Sequence, residues 1–396
     1  MFYTEAQEIL QSRAHSFGQE RLPLEQAFGR VVCEKIFADR DYPPFNRAAM
    51  DGYALRYEDF EKGMRQFIVN ETIFAGQIPA TSISAGQCYK IMTGAATPKG
   101  ANLIIRREDV QEEDGIATIQ ANEAKPFQNI SRRGEDLRAG EVIIEKAVRA
   151  TPAVISLLAA IGKQDVLVEK LPRVAIITTG DEVIPIDRQA SDVQIRNSNL
   201  WLLKSLLHQQ GIQSFLEAHV ADDRASLKTI FENALQGDIV ISCGGVSAGD
   251  ADYVPEVLLA CGVKKIFHKL MIRPGKPVWC GQTTDGKTVF ALPGNPLSCM
   301  VTFSILVQPF LNACYGLPAP TSISMKLNGE RTKKTNLDEF FPVKIIPGSN
   351  EIEIVPFSGS GDIRAALFAD GIARHPRGQT TIHAGEVVEF FPILLS

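Results

Sequence analysis

The chain has 396 residues, too many for one compact core and enough for two to four domains. Hydrophobic residues make up 45% and charged residues 22%, which is ordinary globular composition, and a formal charge of -5 argues against a generic nucleic-acid binder. The N-terminus, MFYTEAQEILQSRA, carries acids and lacks the apolar core of a secretory signal, and the mostly apolar stretch 152–161 falls short of the roughly 20 residues that span a bilayer. A cytoplasmic protein with neither membrane nor nucleic-acid contact is therefore expected.

In chain order, residues 4–14 read as a short amphipathic helix. Thr4 and Gln7 suggest a capping box, and Ala6, Ile9 and Leu10 share a face. From about 41 to 136, short β-like runs (66–69, 117–120) alternate with Gly/Pro turns, as in a small inserted β-rich domain. Residues 139–170 return to apolar, helix-capable sequence. An α/β run follows. Residues 173–178 form a buried-strand pattern that leads into TGDE (179–182). Across 197–210, Leu200, Leu203, Leu206 and Leu207 fall at helical spacing, and Gly211 is a good stop. A strand (212–219) precedes a helix starting near Asp222 or Asp223, with Leu227, Ile230, Phe231 and Ala234 on one side. A buried strand (238–242) then enters GGVSAG (244–249). Residues 289–292 run into PGNPLS (293–298), where Asn295 caps a helix with Pro296 in its first turn and Pro309 as a kink. This alternation predicts a mostly parallel sheet covered on both faces. Beyond 318, residues 322–326, 339–346, 351–355 and 386–390 read as strands of a small β-barrel or sandwich.

In open α/β sheets, ligands sit beyond the carboxyl ends of the strands. Three such loops carry glycine with polar or acidic residues: 179–182, 244–252 and 293–296. Glycine lets a backbone approach an anion, and exposed N–H groups bind phosphate oxygens. This singles out Gly180, Gly244, Gly245, Ser247, Gly249, Pro293, Gly294 and Asn295. A lone loop of this kind is more often only a turn; three on one sheet edge favour a ligand site. Asp181, Glu182, Asp238, Asp250 and Asp252 would repel phosphate unless Mg²⁺ lies between, an ion that takes one or two carboxylates plus substrate oxygens. Plain capping or solvation competes for Asp181 and Asp250. Asp238 opens a buried strand, where a structural hydrogen bond is the alternative. RPGKP (273–277) holds Arg273 and Lys276 on a stiff turn suited to an oxyanion. Further upstream, PPFNRAAMDGYA (43–54) fixes a loop carrying Asp51, and SRRGED (131–136) sets two cations beside two acids. Seven scattered cysteines without C-x-x-C and six histidines without an H-x-x-x-H pair argue against a disulfide framework or a zinc site.

Together these segments, with MTGA (92–95), IRNSN (195–199) and LPGNPLS (292–298), resemble the molybdopterin molybdenumtransferase family, which includes the molybdenum-inserting domain of gephyrin. The resemblance runs over nearly the whole chain. It implies a multidomain α/β plus β fold. An elongated helical domain would comprise 1–39 and 137–169, an inserted β-rich domain 40–136, a three-layer molybdopterin-binding α/β domain 170–318, and a C-terminal β-barrel 319–396. It further implies insertion of molybdate into adenylylated molybdopterin with Mg²⁺ and release of AMP. Asp51, Thr93, Asp136, Glu182, Asp238 and Asp252 would be catalytic, with Glu182, Asp238 and Asp252 on the metal. Gly180, Asp181, Gly244, Gly245, Ser247, Gly249, Asp250, Pro293, Gly294 and Asn295 would contact substrate, and Arg273 and Lys276 molybdate or phosphate. A homodimer is implied, with Asp51, Thr93 and Asp136 reaching the site from the neighbouring chain. A molybdopterin adenylyltransferase and apo-molybdoenzymes are the implied partners. The chain departs from the family pattern at Asn46-Arg47-Ala48, at Arg273 and at Pro342, where a basic residue is usual. Two rival readings use the same α/β domain or none of its chemistry. One is a molybdopterin adenylyltransferase or nucleotide pyrophosphatase, whose phosphate loops differ after Gly-Gly; the other is a non-catalytic scaffold.

Overall fold

The computed structural model describes residues 1–79, 81–246, 252–319 and 322–393. The chain divides into two compact units: Glu34–Lys146 with Ile155–Gln164, and Met1–Cys33 with Ala147–Val154 and Asp165–Ser396.

The smaller unit is built on a six-stranded mixed sheet, in the order Leu103–Arg106, Gly52–Leu55, Gln87–Ile91, Gln66–Ile73, Ile116–Ile119 and Val110–Glu113. Its strands alternate buried and exposed residues in places, and Tyr53, Phe67, Tyr89 and Ile104 fill its core. A two-stranded ribbon, Arg47–Ala48 against Ile130–Ser131, flanks the turn that carries Asp51.

In the larger unit, the first helix spans Tyr3–Arg13. Its start is set one step earlier than the sequence suggests: the Phe2 N–H donates to the Glu5 carboxylate at 2.9 Å, so Thr4 and Gln7 are not the capping pair. Gln7 does other work, described below. Residues 139–170 are not predominantly helical. Only Pro152–Ala160 is a helix, whereas Asp165–Glu169 joins Gln19–Pro23, Val31–Val32 and Val148–Arg149 in a four-stranded sheet. Val166 and Val168 are buried on alternate positions, and that period of two wins over helix-compatible composition.

The α/β layer has the sheet order Ser214–Val220, Val174–Thr179, Ile239–Cys243, Thr288–Leu292, Trp279–Gln282, Lys264–His268. The first four are parallel and the last two antiparallel. The Val174–Thr179 strand is buried throughout because it feeds two cores. Val174 and Ile176 pack with Leu203, Leu206 and Met300 on one face. Ala175 and Ile177 pack with Leu227, Phe231 and Leu258 on the other. The helix Ser198–Gln209 is capped by Asn197, whose side-chain oxygen accepts the Leu200 N–H at 3.2 Å; Asp223 caps Arg224–Ala234 through the N–H groups of Ala225 and Ser226, both at 3.0 Å.

The chain leaves the Val174–Thr179 strand for the sheet edge and returns across it to Ile239–Cys243. The topological switch point therefore lies between the carboxyl ends of these two neighbours.

Pro296–Cys314 is the one described helix long and apolar enough to cross a membrane, and 78% of that apolar window is buried inside the protein, as suits a core helix. Its middle, Phe303–Val307, is a π-helical turn. Pro309 has no N–H to give the Ile305 carbonyl four residues back; Gln7 Nε2 supplies the donor instead, at 2.8 Å. The expected break at Pro309 is thus a widened turn held by the N-terminal helix.

In the C-terminal region, Asp338–Ile345, Glu351–Ile354, Ile323–Asn328, Val387–Pro392 and Gly371–His375 pair in a ring, because the first and last strands also pair with each other. This closes a five-stranded β-barrel around Phe341, Val343, Ile352 and Phe390.

Candidate functional site

The switch point opens into a cavity of about 830 Å³, within the size range of cofactor sites. Gly180, Glu182, Gly244, Gly245, Asp252, Pro293, Gly294 and Asn295 all line it. Gly244 is at φ +104°, and a Cβ there would lie 2.7 Å from Thr179 Oγ1 and 2.8 Å from the Thr179 carbonyl. Only glycine lets the two strand ends close on each other. The third loop is tied in by Asn199, whose Nδ2 donates to the Gly294 carbonyl at 2.5 Å.

The cavity is acidic. Asp222 follows the edge strand, and its Oδ1 is buried. Burial raises the pKa of its carboxyl above the ordinary value; the nearby Thr179 hydroxyl pulls it down, and the charges of Asp181, Glu182 and Asp252 push it up again. Among the described residues, neither Asp222 Oδ1 nor Thr179 Oγ1 has a partner with hydrogen-bonding geometry. Asp181 is not in the lining; it accepts the Asp222 N–H at 3.2 Å and steadies the loop. Among the described residues, no three His, Cys, Asp or Glu side chains form a ready-made metal cage.

A second cavity, about 570 Å³, lies between the Arg273–Pro277 turn and residues of the C-terminal region. It is cationic. Arg273, Lys276, Arg331, Lys333 and Lys334 line it together with Ser298, Ser360 and, among the described residues, a single acid, Glu339. Gly275, at φ +99°, brings the turn so close to the core helix that a Cβ would meet Thr302 Cγ2 at 2.6 Å. Lys333 is committed to structure: its ammonium donates to the carbonyls of Leu337, His375 and Pro376. Arg331 donates to Glu339 at 2.7 Å and to His375 Nδ1 at 2.8 Å. Pro277, Pro293 and Asn295 line both cavities. Asn295 stands at the helix N-cap, but its side chain makes no cap bond; Nδ2 donates to Ser360 Oγ at 2.9 Å.

In the smaller unit, the Thr93 N–H and hydroxyl both donate to Asp51 Oδ1, at 2.8 and 2.6 Å. The Thr93 hydroxyl, then its N–H, hold the Asp51 carboxyl below the usual carboxylate range. Asp136 is exposed on the turn that returns to Tyr42, where its N–H meets the Tyr42 carbonyl at 2.9 Å.

Three family models match this chain in order. The MoeA N-terminal region (domains I and II) matches residues 1–162, a probable molybdopterin binding domain 175–313, and the MoeA C-terminal region (domain IV) 325–393. A molybdopterin molybdenumtransferase of Synechocystis sp. is 34% identical over 392 residues, covering 98% of each chain. The chain belongs to the molybdopterin molybdenumtransferase family. A Staphylococcus epidermidis protein of that name is 32% identical over 92% of this chain and 89% of its own. The fold agrees with two structures of the molybdopterin biosynthesis MoeA protein from Pyrococcus horikoshii. One has a TM-score of 0.84 at 28% identity over 98% and 99% of the chains; the other has 0.79 at 31% over 100% and 99%.

Against this family background, the structure brings Glu182 and Asp252 together with Gly180, Gly244, Gly245 and Gly294, but neither Asp181 nor Asp238 lines the cavity. Asp238 precedes the Ile239–Cys243 strand and so sits at its amino end, away from the cavity, where its carboxylate accepts the Arg173 N–H at 2.7 Å. It is a structural tie between strands. Asp222, read from sequence only as a helix start, occupies the cavity instead. Asn197 and Asn199 belong to the IRNSN motif and also line it, with Asn197 Nδ2 fixed on Thr178 Oγ1 at 2.7 Å. Pro342 does not line the second cavity; the C-terminal region contributes Arg331, Lys333 and Lys334 there, Arg331 from a short strand paired with Thr381–Ile382. Ser247, Gly249 and Asp250 lie outside the described residues.

Proposed function

We propose that this chain inserts molybdenum from molybdate into adenylylated molybdopterin, releasing AMP, as its family membership and its two cavities jointly support. The observation that carries the reading is an acidic, glycine-walled cavity and a cationic cavity sharing Pro277, Pro293 and Asn295. The first suits a phosphate ester or anhydride presented to backbone N–H groups at Gly180, Gly245 and Gly294, with Gly244 needed for the close approach of the strand ends. The second suits a tetrahedral dianion held by Arg273, Lys276 and Arg331, with the Ser298 and Ser360 hydroxyls as donors.

Mg²⁺ fits the first cavity. Glu182, Asp222 and Asp252 would hold it, and Asp222 Oδ1 is buried without a hydrogen-bond partner among the described residues. One or two carboxylates with substrate oxygens make up a usual Mg²⁺ shell, which accounts for there being no cage in advance. The ion supplies positive charge that offsets the phosphates and the departing AMP. The chain's own part is to orient the anhydride on glycine N–H groups and to hold the oxyanion one wall away. In this reading Asp51, Thr93 and Asp136 act on the cavity of a second copy, so the working unit is a homodimer in the cytoplasm. A molybdopterin adenylyltransferase supplies substrate and apo-molybdoenzymes take the product.

The test is to incubate the protein with adenylylated molybdopterin, Mg²⁺ and molybdate. Molybdate-dependent AMP release, a product that activates a cofactor-free molybdenum enzyme, and loss of both in Asp252→Asn are expected. A folded protein that releases no AMP would return the assignment to an adenylyltransferase or pyrophosphatase.

A further inference from the structure

Among the described residues the cationic cavity contains one acid, and its placement is unusual for a residue beside an anion site. Glu339 is only 5% exposed. Oε2 accepts Arg331 Nη2 at 2.7 Å, and Oε1 accepts the Thr335 hydroxyl at 2.7 Å while lying 3.6 Å from Arg273 Nη1. The two guanidiniums are held very differently. Arg331 is 14% exposed and pinned from three sides: Glu339, the ring of Phe341 at 4.3 Å, and His375 Nδ1. His375 is fully buried and within bonding distance of the Gln379 carbonyl through Nε2, so its Nε2 carries the proton and Nδ1 accepts from Arg331. Arg273 is 64% exposed, and its approach to Glu339 is too long for a hydrogen bond.

We infer that Glu339 is a positioning residue with two arms: it locks Arg331 into the cavity wall, and it serves as the displaceable counter-ion of Arg273 until an oxyanion takes its place. The inference rests on reading this cavity as the oxyanion site. A dianion entering the cavity outcompetes a single carboxylate that holds Arg273 only at 3.6 Å. Arg331 stays where Glu339 and His375 put it, so the anion meets one fixed and one mobile guanidinium. A fixed donor defines where the anion sits; a mobile one closes over it.

The two arms give opposite responses to substitution, which a merely structural acid would not. In Glu339→Gln the amide oxygen still accepts from Arg331, but the charge that competes for Arg273 is gone. In Glu339→Ala both arms are lost and Arg331 is released. Calorimetric titration of the full chain with sodium molybdate, and separately with sulfate, at fixed ionic strength is the measurement. Glu339→Gln is expected to bind molybdate about threefold more tightly than the parent, the scale of removing one weak competing ion pair. Glu339→Ala is expected to bind it more weakly than the parent. In turnover, Glu339→Gln should lower the KM for molybdate while kcat at saturating molybdate changes little. Unchanged or weaker binding in Glu339→Gln, with the parent binding molybdate, overturns the counter-ion role and leaves the proposed reaction standing. A parent that binds neither anion, or binds them undiminished in Lys276→Ala, overturns the oxyanion reading and this inference with it. The Glu339→Gln result decides alone if Glu339→Ala does not fold.

Discussion

Asp222 is a carboxyl at odds with its surroundings. Its folded pKa is raised by burial and by neighbouring carboxylates. A carboxyl raised above its unfolded value contributes stability below the unfolded pKa, and that contribution is lost as pH rises through the folded one. At neutral pH the charged form is therefore a cost to the fold that a bound cation would offset. Asp222→Asn is expected to raise the melting temperature at pH 7, to leave it nearly unchanged below about pH 4, and to cut AMP release by about a hundredfold or more. Thermal unfolding at the two pH values and a turnover assay check this; a lower melting temperature at pH 7 would contradict it. Asp51 is the opposite case. The Thr93 hydroxyl and N–H favour its charged form, so Thr93→Val should move its pKa upward toward the usual carboxylate range, readable by carboxyl-carbon NMR titration. At the residue scale the sequence points to Asp238 and conceals Asp222, although both stand beside strands. A strand has a direction, and only its carboxyl end faces the ligand. Asp238 precedes its strand and Asp222 follows one, so the rule that picked out the glycine loops also separates these two acids.

Elements of the α/β layer were legible because short runs of buried β-branched residues, helix caps and glycine stops are local signals. Arg331 was not, since its strand pairs with Thr381–Ile382 some fifty positions later and no local pattern announces that pairing. The four-stranded sheet near the N-terminus was hidden for the same reason: Gln19–Pro23 finds its partner at Asp165–Glu169. At the strand ends, Gly244→Ala would force a Cβ onto Thr179 in a left-handed backbone conformation. A loss of about 1–3 kcal/mol in stability is expected, measured by denaturant unfolding, with the cavity's ligand affinity falling alongside. In the barrel, burial first and then the charges of Lys333 and Arg331 lower the His375 pKa to about 4. The unfolded chain takes up that proton first, near the ordinary value of about 6.5. Barrel stability from this group is thus complete above that pH and is lost as pH falls toward 4. His375→Gln should flatten that part of the profile; a decline between pH 6.5 and 4 that survives the substitution would assign it elsewhere.

For the whole molecule, the proposed homodimer makes a demand that a monomeric enzyme would not. If Asp51 serves the cavity of a second copy, Asp51→Asn and Asp252→Asn proteins are each inactive, yet mixing and reassembling them restores sites in which both acids are intact. Random exchange should return about a quarter of the parent's activity. No recovery after confirmed subunit exchange would place Asp51 and Asp252 in the same chain's service or outside the reaction.

The wall shared by the two cavities bears on timing. Pro277, Pro293 and Asn295 face both spaces, so an anion and a phosphate ester bound as proposed would be separated by the thickness of a few side chains. Two rings of proline leave little freedom to that partition, and Asn295, latched to Ser360, is the member with a bond to break. If the proposed reaction holds, breaking that one bond would join the two spaces without moving a helix or a strand, so the barrier between the reactants would be a side chain and not a domain motion.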